Sequence, residues 1–265
     1  MSKMKKTDEL SLLAQTLFIP LAVRAKEAKC NRPLFTDEMA IDIFNQCDTG
    51  NMVIDGGKIS AHGILARTEV IDTEVKSLLA ANSCATVINL GAGLDTRFFR
   101  LDNGTVQWYD LDLPEVISLR KQFISENERL HFVAKSVLDY SWIDEIECSS
   151  NDTIILIAEG LLMYFSENDV KEILNLLIKK FSKAEMFLDV VHSFFVGKKI
   201  SSGFLWGITK AKEIESLNNE LSIIQTWSTG SLIKQRQSLI LRFLNVFPST
   251  KNRSQIIHLK LERRG

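Results

Sequence analysis

Apolar positions change their spacing along this chain, and the change falls near residue 83. Before it the pattern is helical. Leu10, Leu13, Ala14, Leu17 and Leu21 fall at i, i+3, i+4, i+7 and i+11, one face of an amphipathic helix. Thr36 is a candidate N-cap for a helix over Asp37–Cys47, and "DTGNMVIDGGK" reads as a turn-rich connection. A longer helix is expected from about Ser60 to Ala81, with Ile64, Ile71, Val75 and Leu78 on one stripe. Arg67 lies roughly 60° from the centre of that stripe. A guanidinium at the edge of a buried face needs a partner.

From Ala85 onward strands and helices alternate. The strand candidates are Ala85–Leu90, Thr105–Asp110, Leu130–Ala134, Thr153–Ala158, Ala184–Val191, Leu221–Trp227 and Gln255–Leu261. The first, fourth and fifth are nearly continuous apolar runs, as in a parallel sheet covered on both faces. The last, with Ile257, Leu259 and Leu261 on one side and His258 and Lys260 on the other, alternates as a half-exposed, antiparallel strand does. Pro114 suits the first turn of a helix over Pro114–Ser125. Ser166 and Asp169 form a capping box ahead of the stripe Val170, Ile173, Leu174, Leu177 and Phe181. The expectation is one α/β domain over residues 1–265: a helical N-terminal extension (1–82) and a doubly wound core (83–265), with helical insertions after the fifth and sixth strands.

Composition narrows this only slightly. The chain has 265 residues, 45% hydrophobic, 25% charged, with a formal net charge of −1. No global field recruits nucleic acid or an anionic membrane. Cys30, Cys47, Cys84 and Cys148 show neither a CxxC pair nor a zinc-type spacing, which reads as buried free thiols and no metal site. Lys3, Lys5 and Lys6 ahead of "LSLLAQTLFIPLAV" imitate a signal peptide, but Asp8, Glu9, Gln15, Thr16 and Pro20 interrupt it. No run approaches the ~20 apolar residues of a membrane span. A cytoplasmic protein is expected.

The candidate chemistry starts at "TVINLGAGLDTRFFRL". In a doubly wound sheet, ligands bind beyond the carboxyl ends of the strands, and Gly91 and Gly93 let the backbone approach one closely. An acid ending the next strand can accept hydrogen bonds from ribose hydroxyls, and "WYDLDLPEV" offers Asp110 and Asp112. A dinucleotide fingerprint would want Gly or Ala at position 96, where this chain has Thr96. Together with the long helical prelude, that favours S-adenosylmethionine over NAD.

"VINLGAGLDTRFFRL", "WYDLDLPEV" and "AEGLLMYFSENDVKEIL", with "IPLAVRAKEAK", "ARTEVIDTEV" and "WGITKAKEIESLN", resemble the leucine carboxyl methyltransferase family, and within it the bacterial branch of polyketide-type O-methyltransferases. The resemblance runs over nearly the whole chain. It implies a seven-stranded Rossmann-like methyltransferase sheet with S-adenosyl-L-methionine as cofactor. By resemblance Arg67 meets the cofactor carboxylate, Gly91 lines the cofactor, Asp112 takes the ribose with Asp110 as the alternative, and Glu159 lies near the methionine moiety. A salt bridge from Arg67 to Asp72 or Asp95 is the purely structural alternative, and helix capping is that for Glu159. Arg24 falls near a basic residue of the family's N-terminal segment, or is simply solvated. Where family members carry an Asp-Leu pair after the third strand, this chain has Ser136 and Val137.

Methyl transfer from a sulfonium mainly needs alignment. A carboxylate acceptor is already ionised, whereas a phenol near pKa 10 benefits from a base. His192 and Tyr164 are the candidates to assist; His62 lies too far round its helix from Arg67 to share a face. "FFVGKKISSGFLWGITKAKEIESL" is either a lid or an insertion packed on the sheet, and Lys234, Arg236 and Arg242 read as a solvated helix face. The expected activity is O-methylation of a small, polyketide-like acceptor at a carboxylate. The alternatives are a protein C-terminal carboxylate as acceptor, an NAD-dependent oxidoreductase, and a non-catalytic cofactor-binding protein.

Overall fold

A computed structural model of the protein describes residues 5–6, 12–48, 57–82, 84–149, 152–198, 203–237, 239–246 and 252–264. Apart from a two-residue strand pair, Lys5–Lys6 with Cys47–Asp48, three helices come first: α1 (Leu12–Ala28), α2 (Glu38–Gln46) and α3 (Gly57–Ala81). Leu10 and most of the turn-rich connection lie outside the described residues, but Phe18 and Leu21 of α1 are fully buried. The N-cap of α2 is Asp37, not Thr36, because the Asp37 carboxylate accepts from the Ala40 N–H at 3.0 Å. On α3 the predicted stripe is buried at Ile64, Ile71 and Val75.

Seven strands follow: β1 (Ala85–Leu90), β2 (Gln107–Asp112), β3 (Leu130–Ala134), β4 (Thr153–Ala158), β5 (Lys183–Val191), β6 (Leu221–Ser228) and β7 (Ser254–Glu262). They form one sheet in the order β3-β2-β1-β4-β5-β7-β6. Its first five strands are parallel, and β7 runs antiparallel between β5 and β6. The one displaced prediction is β2, expected at Thr105–Asp110. Asn103 accepts from the backbone N–H groups of Thr105 and Val106, and this turn delays entry into the sheet.

Alternate side chains of each strand feed two cores. Ile88, Leu90, Leu188 and Ile257 pack with α6 (Glu167–Lys180) on one face, while Val87, Phe187 and Ile256 pack beneath α1–α3 on the other. The α6 capping box forms as expected, with Ser166 and Asp169 exchanging hydrogen bonds. The short α4 (Arg97–Leu101) follows β1, and α5 is confined to Pro114–Arg120, shorter than predicted.

The insertions after β5 and β6 are less helical than predicted. They contain 3-10 turns at Ser193–Phe195 and Ala211–Ser216 and, after β6, at Lys234–Arg236, with the six-residue α7 (Leu239–Leu244). Arg236 is only partly exposed, because it donates to Glu27 of α1 through Nε and Nη2. Of the four cysteines, all free, only Cys47 is buried, which corrects the expectation for Cys30, Cys84 and Cys148.

Candidate functional site

The strand order reverses between β1 and β4, and a cavity of about 530 Å³ opens beyond their carboxyl ends. Gly91 and Gly93 turn the chain with φ of 68° and 52°, values that L side chains rarely adopt. The N–H groups of Gly91 and Ala92 both donate to the Leu111 carbonyl, at 2.8 and 3.0 Å. The Gly93 N–H donates to Asp112 Oδ2 at 2.7 Å, and the Leu113 N–H to Asp112 Oδ1 at 2.7 Å. Asp112 is therefore locked by main chain at the cavity wall. Burial pushes its carboxyl above the usual range, partly offset by those two N–H groups. Two lone pairs remain for a ligand's hydroxyls.

Asp110, the alternative ribose acceptor, does not line the cavity. Its carboxylate is consumed by an ion pair with Arg120 and by 3.0 Å bonds from Asn89 Nδ2 and Trp108 Nε1. That corrects its candidacy. Ser136 and Val137, at the end of β3, do line the cavity beside Asp112.

Arg67 reaches the cavity from α3. Its partners are Glu159, Nε to Oε1 at 3.2 Å, and Asp189, Nη1 to Oδ2 at 3.3 Å, not Asp72 or Asp95. Glu159 also accepts from Arg97 Nη2 at 2.7 Å, and caps no helix, since α6 is capped by Ser166. Burial lowers the Arg67 pKa, but Asp189 and Glu159 outweigh it and hold the guanidinium charged. Asp189 is wholly buried, and its Oδ1 accepts from the Gly160 N–H at 2.6 Å.

These pairs are one end of a longer run. Asp37, Asp72, Asp95, Glu159 and Asp189 alternate with Arg24, Arg67, Arg97 and Arg100 in a continuous chain of ion pairs. Arg24 is buried, not solvated; it donates to Asp37 and, at 2.9 Å, to the carbonyl of Leu94 beyond the glycine turn. Thr96 donates to Asp37 at 2.7 Å. The charged cluster after the turn thus grips the N-terminal helices. Burial raises the Asp95 pKa, but Arg97 and Arg100 overcome it and hold the carboxyl well below the usual range. Sequence reasoning missed Asp189, Arg97, Arg100 and Asp37. An Asp inside the apolar run "MFLDVV" was the available signal for the first.

The two candidate assistants separate. Tyr164 lines the cavity and packs edge-on against Phe204, centroids 5.5 Å apart. His192 does not line it; its Nδ1 accepts from the Phe194 N–H at 3.1 Å and caps a 3-10 turn. His62 is buried against the Thr229 carbonyl at 3.0 Å. Phe204 lines the cavity, Trp206 packs into the core and Phe194 is exposed, so the insertion both lines the cavity and packs on the sheet.

The leucine carboxyl methyltransferase family profile matches residues 18–178, well over half of the chain. The chain belongs to the leucine carboxyl methyltransferase family. Its cofactor is S-adenosyl-L-methionine. Among similar proteins is the tetracenomycin polyketide synthesis O-methyltransferase TcmP of Streptomyces glaucescens, 28% identical over 234 residues, covering 85% of this chain and 86% of that protein. The S-adenosyl-L-methionine-dependent methyltransferase dpfgK of Gibberella zeae is 26% identical over 182 residues, 63% of this chain and 61% of that protein. The N-methyltransferase NodS of Bradyrhizobium japonicum shares the fold at a TM-score of 0.50 and 11% identity, over 79% of this chain and 99% of NodS.

The cavity's donor set fits this cofactor. A main-chain-held carboxylate suits vicinal hydroxyls, Ser136 and Val137 suit the edge and face of a base, and Arg67 with Glu159 presents both signs of charge to an amino-acid tail. Among the described residues no helix is long and apolar enough to cross a membrane.

Proposed function

We propose that the protein is an O-methyltransferase whose acceptor is the ionised carboxylate of a small, largely apolar, polyketide-like molecule. One observation carries this reading: among the described residues the cavity presents no free base. Among the described residues no histidine lines it. Asp95 and Glu159 are tied to guanidiniums, and Asp112, held by main chain, turns its remaining lone pairs to the ribose on this reading. Burial raises the Tyr164 pKa, so its phenol keeps its proton and donates instead of accepting. Among the described lining residues no group remains to deprotonate an alcohol or a phenol of pKa about 10. A carboxylate arrives already ionised. The likeness to TcmP supports an oxygen acceptor of polyketide type, and the cavity volume falls in the range of small-molecule sites.

Asp112 would hold the ribose of the cofactor, Ser136 and Val137 its base, Arg67 its carboxylate and Glu159 its ammonium group. Arg24, bonded to the Leu94 carbonyl, keeps the glycine turn in place from below. Bound there, S-adenosylmethionine supplies a methyl group already activated on a sulfonium. The protein's remaining task is to exclude water and align one acceptor oxygen.

The test uses S-adenosylmethionine labelled in its methyl group with panels of aromatic carboxylic acids and of phenols. Label appearing in acids and released as methanol by mild alkali supports the proposal. Label in phenols alone, stable to alkali, overturns the carboxylate assignment.

A further inference from the structure

Strand alternation sets one more carboxylate beside the groups assigned to the cofactor's amino-acid tail. The last pair between β4 and β5 joins Ala158 to Leu188, so the register carries Asp189 to the level of Glu159, the first residue beyond β4. Phe187 packs in the core beneath α1–α3 and Leu188 in the opposite one, and period two returns Asp189 to the α3 side. Arg67 reaches down from that same helix. A wholly buried acid inside the apolar run of β5 is costly unless it is paired.

The two oxygens of Asp189 have separate tasks. Oδ1 accepts from the Gly160 N–H at 2.6 Å and so fixes the backbone next to Glu159. Oδ2 accepts no hydrogen bond and lies 3.3 Å from Arg67 Nη1, so the charge of the guanidinium is what offsets its burial. Glu159, by contrast, divides itself between Arg67 and Arg97. Burial opposes the charge on Arg67, and Asp189 does more than Glu159 to restore it. Arg67 is thus held at Nε by Glu159 and at Nη1 by Asp189, which leaves Nη2 for a ligand.

We infer that Asp189 is a positioning residue: through Oδ2 it aims the Arg67 guanidinium and through Oδ1 the Glu159–Gly160 backbone, so that both signs of charge meet the amino-acid tail of S-adenosylmethionine in one geometry. This role rests on the reading above that Arg67 takes the cofactor's carboxylate and Glu159 its ammonium group. A guanidinium tethered at one nitrogen can swing about that contact, whereas one tethered at two presents a single edge of its planar fork. The cost of orienting it is then met in folding and not at binding. Asp189 acts through Arg67 and Glu159, so its effect reaches only ligands that carry the tail.

The test compares, by calorimetry, S-adenosylhomocysteine with methylthioadenosine, which keeps the nucleoside and the thioether but lacks the amino-acid tail. Wild type should bind S-adenosylhomocysteine more tightly. Asp189→Asn keeps an oxygen for the Gly160 N–H and removes the charge. It should weaken S-adenosylhomocysteine about tenfold, the worth of one hydrogen bond to a charged group, and leave methylthioadenosine unchanged. Arg67→Gln should weaken S-adenosylhomocysteine at least as much, and adding Asp189→Asn to it should cost little more. Unchanged S-adenosylhomocysteine affinity in Asp189→Asn, an equal loss of both ligands, or a full further loss in the double variant overturns the positioning role while sparing the tail contacts. Wild type binding both ligands equally overturns the tail contacts and the role together. If Asp189→Asn does not fold, Asp189→Ser, a smaller neutral residue, is held to the same outcomes.

Discussion

The two ends of the cavity are built differently. Around the glycine turn the polar groups are held by main chain and charge: three consecutive N–H groups are bonded across to β2, Asp112 is clamped by main chain, and the acids of the ion-pair run lie among guanidiniums. At the other end the wall comes from the ends of β5 and β7 and from an insertion of loops and 3-10 turns. There Phe194 and Leu205 are exposed, and the Ser254 hydroxyl is unsatisfied. The contrast matches two tasks. On the proposed reading, rigid, backbone-held groups serve the cofactor and the looser end serves the acceptor.

If the first end is a rigid frame, cutting its hub should have the largest effect. Arg97→Ala takes from Asp72, Asp95 and Glu159 a shared guanidinium whose nitrogens lie within 2.7 Å of all three, leaving them only Arg100 and Arg67. Removing one partner of a buried ionic cluster costs about 3–5 kcal/mol, which urea unfolding should register as a lower midpoint.

The next effect sharpens the same contrast through pH. Asp95 is held below the ordinary carboxylate range by Arg97 and Arg100. A depressed native pKa stabilises above the unfolded value of about 3.9, and that stability is lost as pH falls through the native value. The stability gap between wild type and Asp95→Asn should therefore stay level from about pH 7 to pH 5 and close only under stronger acid. A gap closing between pH about 7 and 6 would place the charge elsewhere.

The smallest effect belongs to His192. It caps a turn outside the cavity, so His192→Ala should alter turnover and its pH profile by less than about twofold, and stability by about 1 kcal/mol or less, as for the loss of a weak cap. A tenfold loss with a break near the ordinary histidine pKa would restore it as a base.

How legible this was in the sequence follows the same division. Strands β1, β4 and β5 showed themselves as apolar runs, and Ser166 with Asp169 announced α6, because local patterning suffices there. Gly91, Gly93 and Asp112 were legible because a turn and the strand after it are close in sequence. The choice between Asp110 and Asp112 was not settled by spacing, since both end the same strand. Trp108, Asn89 and Arg120 decide it by consuming Asp110. The ion-pair run stayed hidden because its members are up to 165 residues apart, from Arg24 to Asp189, and meet only once the helices dock. The insertions hold less helix than their Lys- and Glu-rich composition suggests, with Trp206 and Ile214 packed into the core and the chain around them in loops and 3-10 turns.

The most direct measurement is calorimetric titration of S-adenosylhomocysteine into wild type, Asp112→Ala and Asp110→Asn. The account predicts one site, weakened in Asp112→Ala by about 1–3 kcal/mol, the cost of unmet buried partners. In Asp110→Asn the affinity should be nearly unchanged while the urea midpoint falls. Full affinity in Asp112→Ala would contradict the placement of the cofactor across the ends of β1 and β2.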